Sequence, residues 1–417
     1  MSKIKIGILG ASRGMDFSKR ILGDYEYACL TAVCETYNVL RKKTEEFLKE
    51  NGIDAKCYDN YDEFLDSGID AVIIANFANE HCEYAIRALE KGIHVYSEVQ
   101  PVQTLAEACA LSDAVEKSGC VYAYGENYCY SDSSMALRAI YEEGLIGEVA
   151  CMEGTFINDC SPKWHMLTRG VRDHWRNYVP STFYCTHSIG PLFFATGRRA
   201  VRVDGLEIPR MDYMAVGGAR SGSAGMEVME LDNGGIARSL NGNLKHPYEA
   251  SFRLIGSKGS LVGNSNGLKT IEYTGGFNFD IQDVAVTHRN YKYRPAGVEG
   301  AVANGDFVAF GYFIGAILGD EEGKKHSIDI YSALDMALPG LLAFRSIVEK
   351  GMPYEVPDLR DKAVRDKYRN DFYCTDPRTP EEFRLPTSKN GTPEVEEAVY
   401  EAVQKSFSDA VLKPGMN

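Results

Sequence analysis

From residue 3 to about 125 the chain alternates short apolar runs with longer amphipathic ones. Ile4–Leu9, Leu30–Cys34, Ala71–Ala75, His94–Tyr96 and Val121–Ala123 are apolar at consecutive positions, which predicts strands buried on both faces. Between them Val39–Lys49, Glu80–Glu90 and Leu105–Lys117 have the spacing of helices. In the second of these, Tyr84, Ile86 and Leu89, with Ala88, form an apolar stripe against Glu83, Arg87, Glu90 and Lys91, and Gly92 closes the helix. Strands apolar on both faces that alternate with helices predict a parallel sheet covered on both sides.

The pattern changes after about residue 130. A helix, Ser134–Glu142, leads into strand-like runs at Val149–Ile157, Val201–Leu206, Met226–Leu231, Ile236–Leu240, Ser251–Ile255 and Leu268–Tyr273. Turn clusters such as Asp232-Asn233-Gly234-Gly235 and Gly256-Ser257-Lys258-Gly259 punctuate them, so a mostly antiparallel sheet is expected. Two helices, Phe307–Leu318 and Ser332–Glu349, follow, and from Pro353 the chain is polar with one short helix near Glu394–Ser406. The resulting division is 1–128, an α/β domain; 129–360, an α+β domain built on the antiparallel sheet; and 361–417, an extension wrapping the core.

Bulk properties narrow the partners. A chain of 417 residues exceeds one ordinary core, and 44% hydrophobic with 25% charged residues is globular composition. Lys+Arg 45 against Asp+Glu 59 gives a net charge of −14, which repels phosphate backbones and anionic lipid, so neither nucleic acid nor a membrane is an expected partner. The eleven cysteines contain no Cys-x-x-Cys pair, and the eight histidines do not cluster with acids at ligand spacing, so reduced thiols and no metal site are expected. The apolar stretch Phe307–Leu318 is too short for a bilayer, and Met1–Gly7 enters a strand directly. Together these point to the cytoplasm.

The first strand runs into Gly10-Ala11-Ser12-Arg13-Gly14-Met15. A dinucleotide needs glycines at such a turn so that backbone N–H groups approach the pyrophosphate and the next helix adds its dipole. Against Gly-x-Gly-x-x-Gly from Gly10, Ser12 and Met15 replace the second and third glycines, and Gly14 falls one place early. The second strand ends at Glu35, 25 residues past Gly10, where an acid would accept from the adenosine ribose and repel a 2′-phosphate. NAD is therefore expected over NADP, although Arg41 and Lys42 lie close by. Asn76, His81 and Glu98 follow later strands and are expected to border the same crevice, because open parallel sheets bind ligands at their carboxyl ends. His81 could equally be a first-turn helix residue, and Glu98 a helix cap.

These segments, with Gly144-Leu145-Ile146-Gly147-Glu148, Cys185-Thr186-His187-Ser188-Ile189-Gly190-Pro191 and Ile255-Gly256-Ser257-Lys258-Gly259-Ser260, resemble the Gfo/Idh/MocA oxidoreductases over roughly residues 3–350. The resemblance implies a Rossmann domain joined to an open sheet carrying the substrate pocket and often the oligomer contact, hence a dimer or tetramer. It also implies hydride transfer between a nicotinamide and a carbohydrate carbon. Where many members carry Glu-Lys-Pro, this chain reads Glu98-Val99-Gln100-Pro101, so Val99 stands in the position of the lysine that assists deprotonation, and Phe183 stands where an aspartate is common. Ser97-Glu98-Val99, Glu126-Asn127-Tyr128-Cys129-Tyr130, Trp175-Arg176, Tyr184-Cys185-Thr186-His187 and Asp329-Ile330-Tyr331 look like the NAD-dependent glycosidases of glycoside hydrolase family 109. That likeness implies oxidation at sugar C3, elimination of the glycosidic bond, addition of water and re-reduction; it also adds Asn127 to the cofactor contacts.

Oxidising a secondary alcohol needs a base for the hydroxyl proton beside a hydride acceptor. With valine at 99, His187 is the expected base and Tyr184, three residues earlier, its relay partner; the alternative is a buried histidine capping a helix Ser188–Ala195. Asn158, Lys163, Trp164, His165, Trp175 and Arg176 combine rings and hydrogen-bonding groups suited to a sugar, or else form a partly buried loop. Three functions stay open: a dehydrogenase for a sugar or glycoside, a redox-neutral glycosidase or lyase, and a non-catalytic cofactor or sugar sensor.

Overall fold

The computed structural model describes residues 2–21, 25–264, 267–275, 278–284, 291–295 and 301–411. The chain forms two compact units, each discontinuous in sequence. The first comprises Met1–Ala136, Ala285–Leu334 and Asp358–Asn370, the second Leu137–Val284, Asp335–Pro357 and Asp371–Asn417. The three-part division read from the sequence follows chain order; the structure instead returns 285–334 and 358–370 to the first unit.

Six strands build the sheet of the first unit: β1 (Ile4–Leu9), β2 (Ala28–Cys34), β3 (Lys56–Tyr58), β4 (Ala71–Ile74), β5 (His94–Ser97) and β6 (Tyr122–Tyr124). All pairs are parallel and the order is β3-β2-β1-β4-β5-β6. This doubly wound arrangement reverses direction between β1 and β4, where such sheets hold dinucleotides. Ile6, Ile8 and all of β4 are fully buried, as continuous apolar strands require. The helix Ala301–Ile317 belongs to this unit through its aromatic face: Phe310 lies 6.4 Å from Phe17 and 6.1 Å from Tyr96, and Phe313 5.6 Å from Tyr96.

The second unit holds a nine-stranded sheet of β7 (Val149–Ile157), β8 (Ala200–Ile208), β9 (Ala224–Leu231), β10 (Ile236–Gly242), β11 (Glu249–Gly256), β12 (Gly259–Asn264), β13 (Gly267–Gly275), β14 (Asn278–Asp283) and β15 (Tyr354–Glu355). Its order is β14-β13-β12-β11-β7-β10-β9-β8-β15, antiparallel except between β7 and β10. The helix Cys185–Thr196 packs across β7, β10 and β11, close enough that the backbone of Ser188 leaves no room for a side chain at Gly154. Among the described residues one stretch, Glu321–Val348, is long and apolar enough to cross a bilayer, yet its most apolar 18-residue window is 72% buried inside the protein, as in a core helix. The extension ends in the helix Glu397–Val411, and residues 412–417 lie outside the described part.

Candidate active site

In the first unit the turn after β1 is shaped by two glycines. Gly10 has φ +90°, and a Cβ there would lie 2.7 Å from the backbone of Ala75 and Asn76 at the end of β4. Gly14 sits on the first turn of the helix Ala11–Ile21, where a Cβ would meet Ile8 Cγ2 at 2.3 Å. Gly14 thus does the helix-on-strand packing that the motif assigns to its third glycine, one position later. Ser12 is exposed between them.

Glu35 folds back onto this turn. Its Oε2 accepts from Ala11 N at 3.0 Å and its Oε1 from Tyr37 N at 2.8 Å. Arg41, the cation that could have served a 2′-phosphate, donates instead to Glu35 O at 3.3 Å and pairs with Asp59 at 3.1 Å. Asn76 donates to Glu80 at 3.0 Å, while its Oδ1 is buried with no donor among the described residues. A cradle that only glycine fits, an acid at the β2 end and an orphaned acceptor at the β4 end together suit a dinucleotide.

His81 lies deeper than the sequence suggested. It opens the helix His81–Glu90 fully buried, with Nδ1 at 2.9 Å from Gln100 O and Nε2 at 3.4 Å from Asn76 O. Burial drives its pKa down to about 4, so it is a neutral strut joining the β4 and β5 loops and not a surface cofactor contact.

Arg13 binds two acids at once: Nη2 lies 3.1 Å from Glu98 Oε1 and 2.7 Å from Asp306 Oδ1, and its guanidinium sits 5.2 Å from the Phe17 ring centre. The Glu98 charge holds the Arg13 pKa up. Burial pushes Glu98 up to about 7 against the pull of Arg13, and raises Asp306 as well. Asn127 hydrogen-bonds Asp306 through its side chain, which ties the cofactor candidates Arg13, Glu98 and Asn127 into one network. Asp306 was missed in the sequence. Its signal was the one charged residue in the largely apolar run Ala301–Ile317.

In the second unit the structure gathers rings around the start of the helix Cys185–Thr196. Tyr184 and His187 stack at 5.5 Å and 15°, and His187 N donates to Tyr184 O at 3.1 Å. Phe156, at the end of β7, packs on His187 at 4.7 Å and on Tyr248 at 6.1 Å; neither aromatic was singled out in the sequence. The Arg176 guanidinium lies 4.6 Å from the Trp175 ring and 5.9 Å from that of Tyr184, a cation between two π faces. Tyr184 and His187 are both partly exposed, and His187 is inside the first turn of its helix, not a cap ahead of it.

The remaining sugar candidates separate. Trp164 is 3% exposed, packs with Met214 and Ala219, and donates its indole N–H to Asn177 at 3.1 Å, so it is a core residue, not a platform. Lys163 is exposed on the turn Ser161–Lys163, His165 is half-buried two residues on, and Asn158 directly follows β7 with its N–H on Gly242 O. Trp175 is buried, and its Nε1 has no partner among the described residues.

Comparison with known proteins fits this geometry. Residues 4–126 match the family model described as oxidoreductase family, NAD-binding Rossmann fold. A glycosyl hydrolase family 109 protein 1 of Shewanella sp. (strain ANA-3) is 24% identical over 402 residues, covering 86% of this chain and 85% of that one. A family 109 protein 2 of the same strain is 26% identical over 204 residues, but the match spans only 44% of its length. Among solved structures, levoglucosan dehydrogenase in complex with NADH and levoglucosan has a TM-score of 0.67 at 19% identity, covering 85% of this chain and all of that one. An inositol dehydrogenase homologue from Azotobacter vinelandii, complexed with NADH and myo-inositol, has a TM-score of 0.68 at 18% identity over 85% of this chain and 98% of its own.

Proposed function

With residues 4–126 forming the NAD-binding Rossmann domain of the Gfo/Idh/MocA oxidoreductase family, we propose that the chain oxidises a secondary hydroxyl of a sugar or glycoside, at C3 of the ring, with His187 as the base. Bound NAD supplies the hydride acceptor for the carbinol C–H. Gly10, Gly14 and Arg13 at the first turn, Glu35 at the β2 end and Asn76 at the β4 end would hold it.

The observation that carries this reading is the stacked Tyr184–His187 pair. The hydroxyl O–H bond breaks as its proton passes to the imidazole, the C–H electron pair leaves as hydride, and a ketone remains. An imidazole nitrogen can accept the hydroxyl proton and return it later in the same turnover. The tyrosine ring holds the imidazole plane, and Arg176 adds positive charge beside both Tyr184 and Trp175. Trp175 and Arg176 then serve as the sugar-facing groups, with Asn158, Lys163 and His165 further out.

A second reading is favoured by the likeness to a family 109 protein over 86% of this chain and by Val99 in the lysine position. There the 3-ketone acidifies C2–H, Tyr184 or His187 removes that proton, the glycosidic bond breaks, water adds and the ketone is reduced again. One experiment tests both. Protein with NAD and a panel of glycosides is followed for NADH absorbance and for released aglycone. NADH in proportion to product supports the dehydrogenase; aglycone without net NADH supports the glycosidase. Neither signal across the panel refutes both.

A further inference from the structure

The segment from Asp371 belongs to the second unit, and two of the residues it bonds, Glu207 and Arg220, also bond the stretch Trp175–His187, at Ser181 and at the Asn177 carbonyl. Two buried charged side chains carry those contacts. Glu207, near the end of β8, accepts from Ser181 Oγ at 3.1 Å through one carboxylate oxygen. Through the other it accepts from Ser388 Oγ at 2.7 Å and from Lys389 N at 2.9 Å, while Lys389 Nζ donates to Glu207 O at 3.0 Å. Arg220 donates Nε to the Tyr400 hydroxyl at 3.0 Å, and that hydroxyl donates to Gly218 O at 3.2 Å. The Arg220 guanidinium lies 5.3 Å from the Tyr178 ring, while the main chain of Arg220 donates its N–H to Asn177 O at 2.8 Å and accepts at its carbonyl from Thr387 Oγ1 at 2.6 Å.

Two relays result: Ser388–Glu207–Ser181 and Tyr400–Arg220–Asn177. The first ends three residues before Tyr184, the second one residue after Arg176. Between Asn177 and the helix that begins at Cys185 the main chain is held by single turns, Phe183 N on Pro180 O and Cys185 N on Thr182 O, and by Thr182 Oγ1 on Gly340 O, with no continuous ladder of its own. A buried carboxylate with three donors and a buried guanidinium with ring and hydroxyl partners are both costly to leave unpaired, and this locks the stretch to the tail.

We propose that the C-terminal segment is a positioning element: through Glu207 and Arg220 it sets the orientation of Trp175, Arg176, Tyr184 and His187. The catalytic meaning rests on the functional reading above; the mechanical claim does not. Misplacement of reacting groups by about 1 Å costs on the order of 100-fold in rate, so a tether of this kind acts on kcat.

The test uses the full chain and its own reporters, since its two tryptophans, Trp164 and Trp175, both lie beside or within the tethered stretch. Tyr400→Phe and Glu207→Gln each weaken one relay, and Ser388→Ala is the milder change should either fail to fold. Glu397→Gln, which breaks only the exposed pair with Arg172, is the control. Well below melting, the relay variants are expected to show red-shifted tryptophan emission and greater acrylamide quenching, with NAD affinity unchanged and the control silent. On a glycoside turned over by the parent protein, kcat falls by roughly 10- to 100-fold with little change in KM. Unaltered quenching in all relay variants overturns the proposal. If instead the parent protein oxidises no glycoside while quenching rises as expected, the functional reading fails and the tether stands.

Discussion

Arg13 and Asp306, nearly three hundred positions apart in sequence, are joined by a 2.7 Å ion pair, and the same guanidinium nitrogen reaches Glu98 at 3.1 Å. Removing the cation leaves two largely buried carboxylates side by side. Arg13→Met is expected to cost about 2–4 kcal/mol, below the full figure for a buried pair because the arginine keeps partial water contact. The loss should be larger at pH 8 than at pH 5, since burial already raises both acids and protonation relieves the unpaired charge. Urea unfolding at the two pH values checks this; an equal loss at both would refute the arrangement.

Glu227 gives a second pH signature. It is fully buried on β9, accepts from Asn241 at 2.8 Å, and burial raises its pKa from 4.5 to about 7. The unfolded chain releases this proton near 4.5 and the folded chain only near 7, so the contribution is intact below 4.5 and is lost as pH rises through 7. Glu227→Gln, which cannot ionise, should erase that slope. The stability difference between parent and variant should shift by on the order of 3 kcal/mol between pH 4.5 and 7.5. Parallel curves would show that Glu227 does not titrate in this way.

His187→Ala should leave NAD affinity unchanged by calorimetry, because the groups proposed to hold the dinucleotide are Gly10, Arg13, Gly14, Glu35 and Asn76. Turnover should fall by about 100- to 10,000-fold, the usual contribution of a general base. A variant with parental kcat would remove His187 from the chemistry.

Glu35→Ser tests cofactor choice. The variant loses the ribose acceptor and one bond to the Ala11 N–H, so NAD affinity should drop about 10-fold. NADP, no longer facing a carboxylate, should bind equally well or better. Preservation of the parent preference for NAD would place the discriminating charge elsewhere.

Most of the dinucleotide unit was legible because its signals are local. β1 runs Ile4–Leu9 in sequence and structure alike, and Gly10 and Glu35 fall where a tight turn and a strand end need them. Short or glycine-rich strands escaped: β3 has three residues, and β12, Gly259–Asn264, lacks a continuous apolar pattern. In the helix His81–Glu90 the buried stripe is Cys82, Ala85, Ala88 and Leu89, rotated from the Tyr84–Ile86 face that hydropathy favoured, because small residues pack closest to the sheet. Trp164 resembled a sugar platform beside Lys163 and His165, yet Asn177 offers its indole a buried acceptor, a tertiary fact no window contains. Asp306 and Glu207 were hidden for the same reason: their partners come from remote chain.

The nicotinamide-binding unit is not closed until its last segment, Asp358–Asn370, has been made. At ordinary ribosomal speeds of about 5–20 residues per second, the first 136 residues wait on the order of ten to fifty seconds for that completion. Through most of this interval Phe17 and Tyr96 lack Phe310 and Phe313, and Arg13 lacks Asp306. A nascent chain halted after residue 136 would therefore expose an apolar sheet face and a half-neutralised arginine, the kind of surface that chaperones retain, so the unit cannot be harvested by cutting the chain after Ala136.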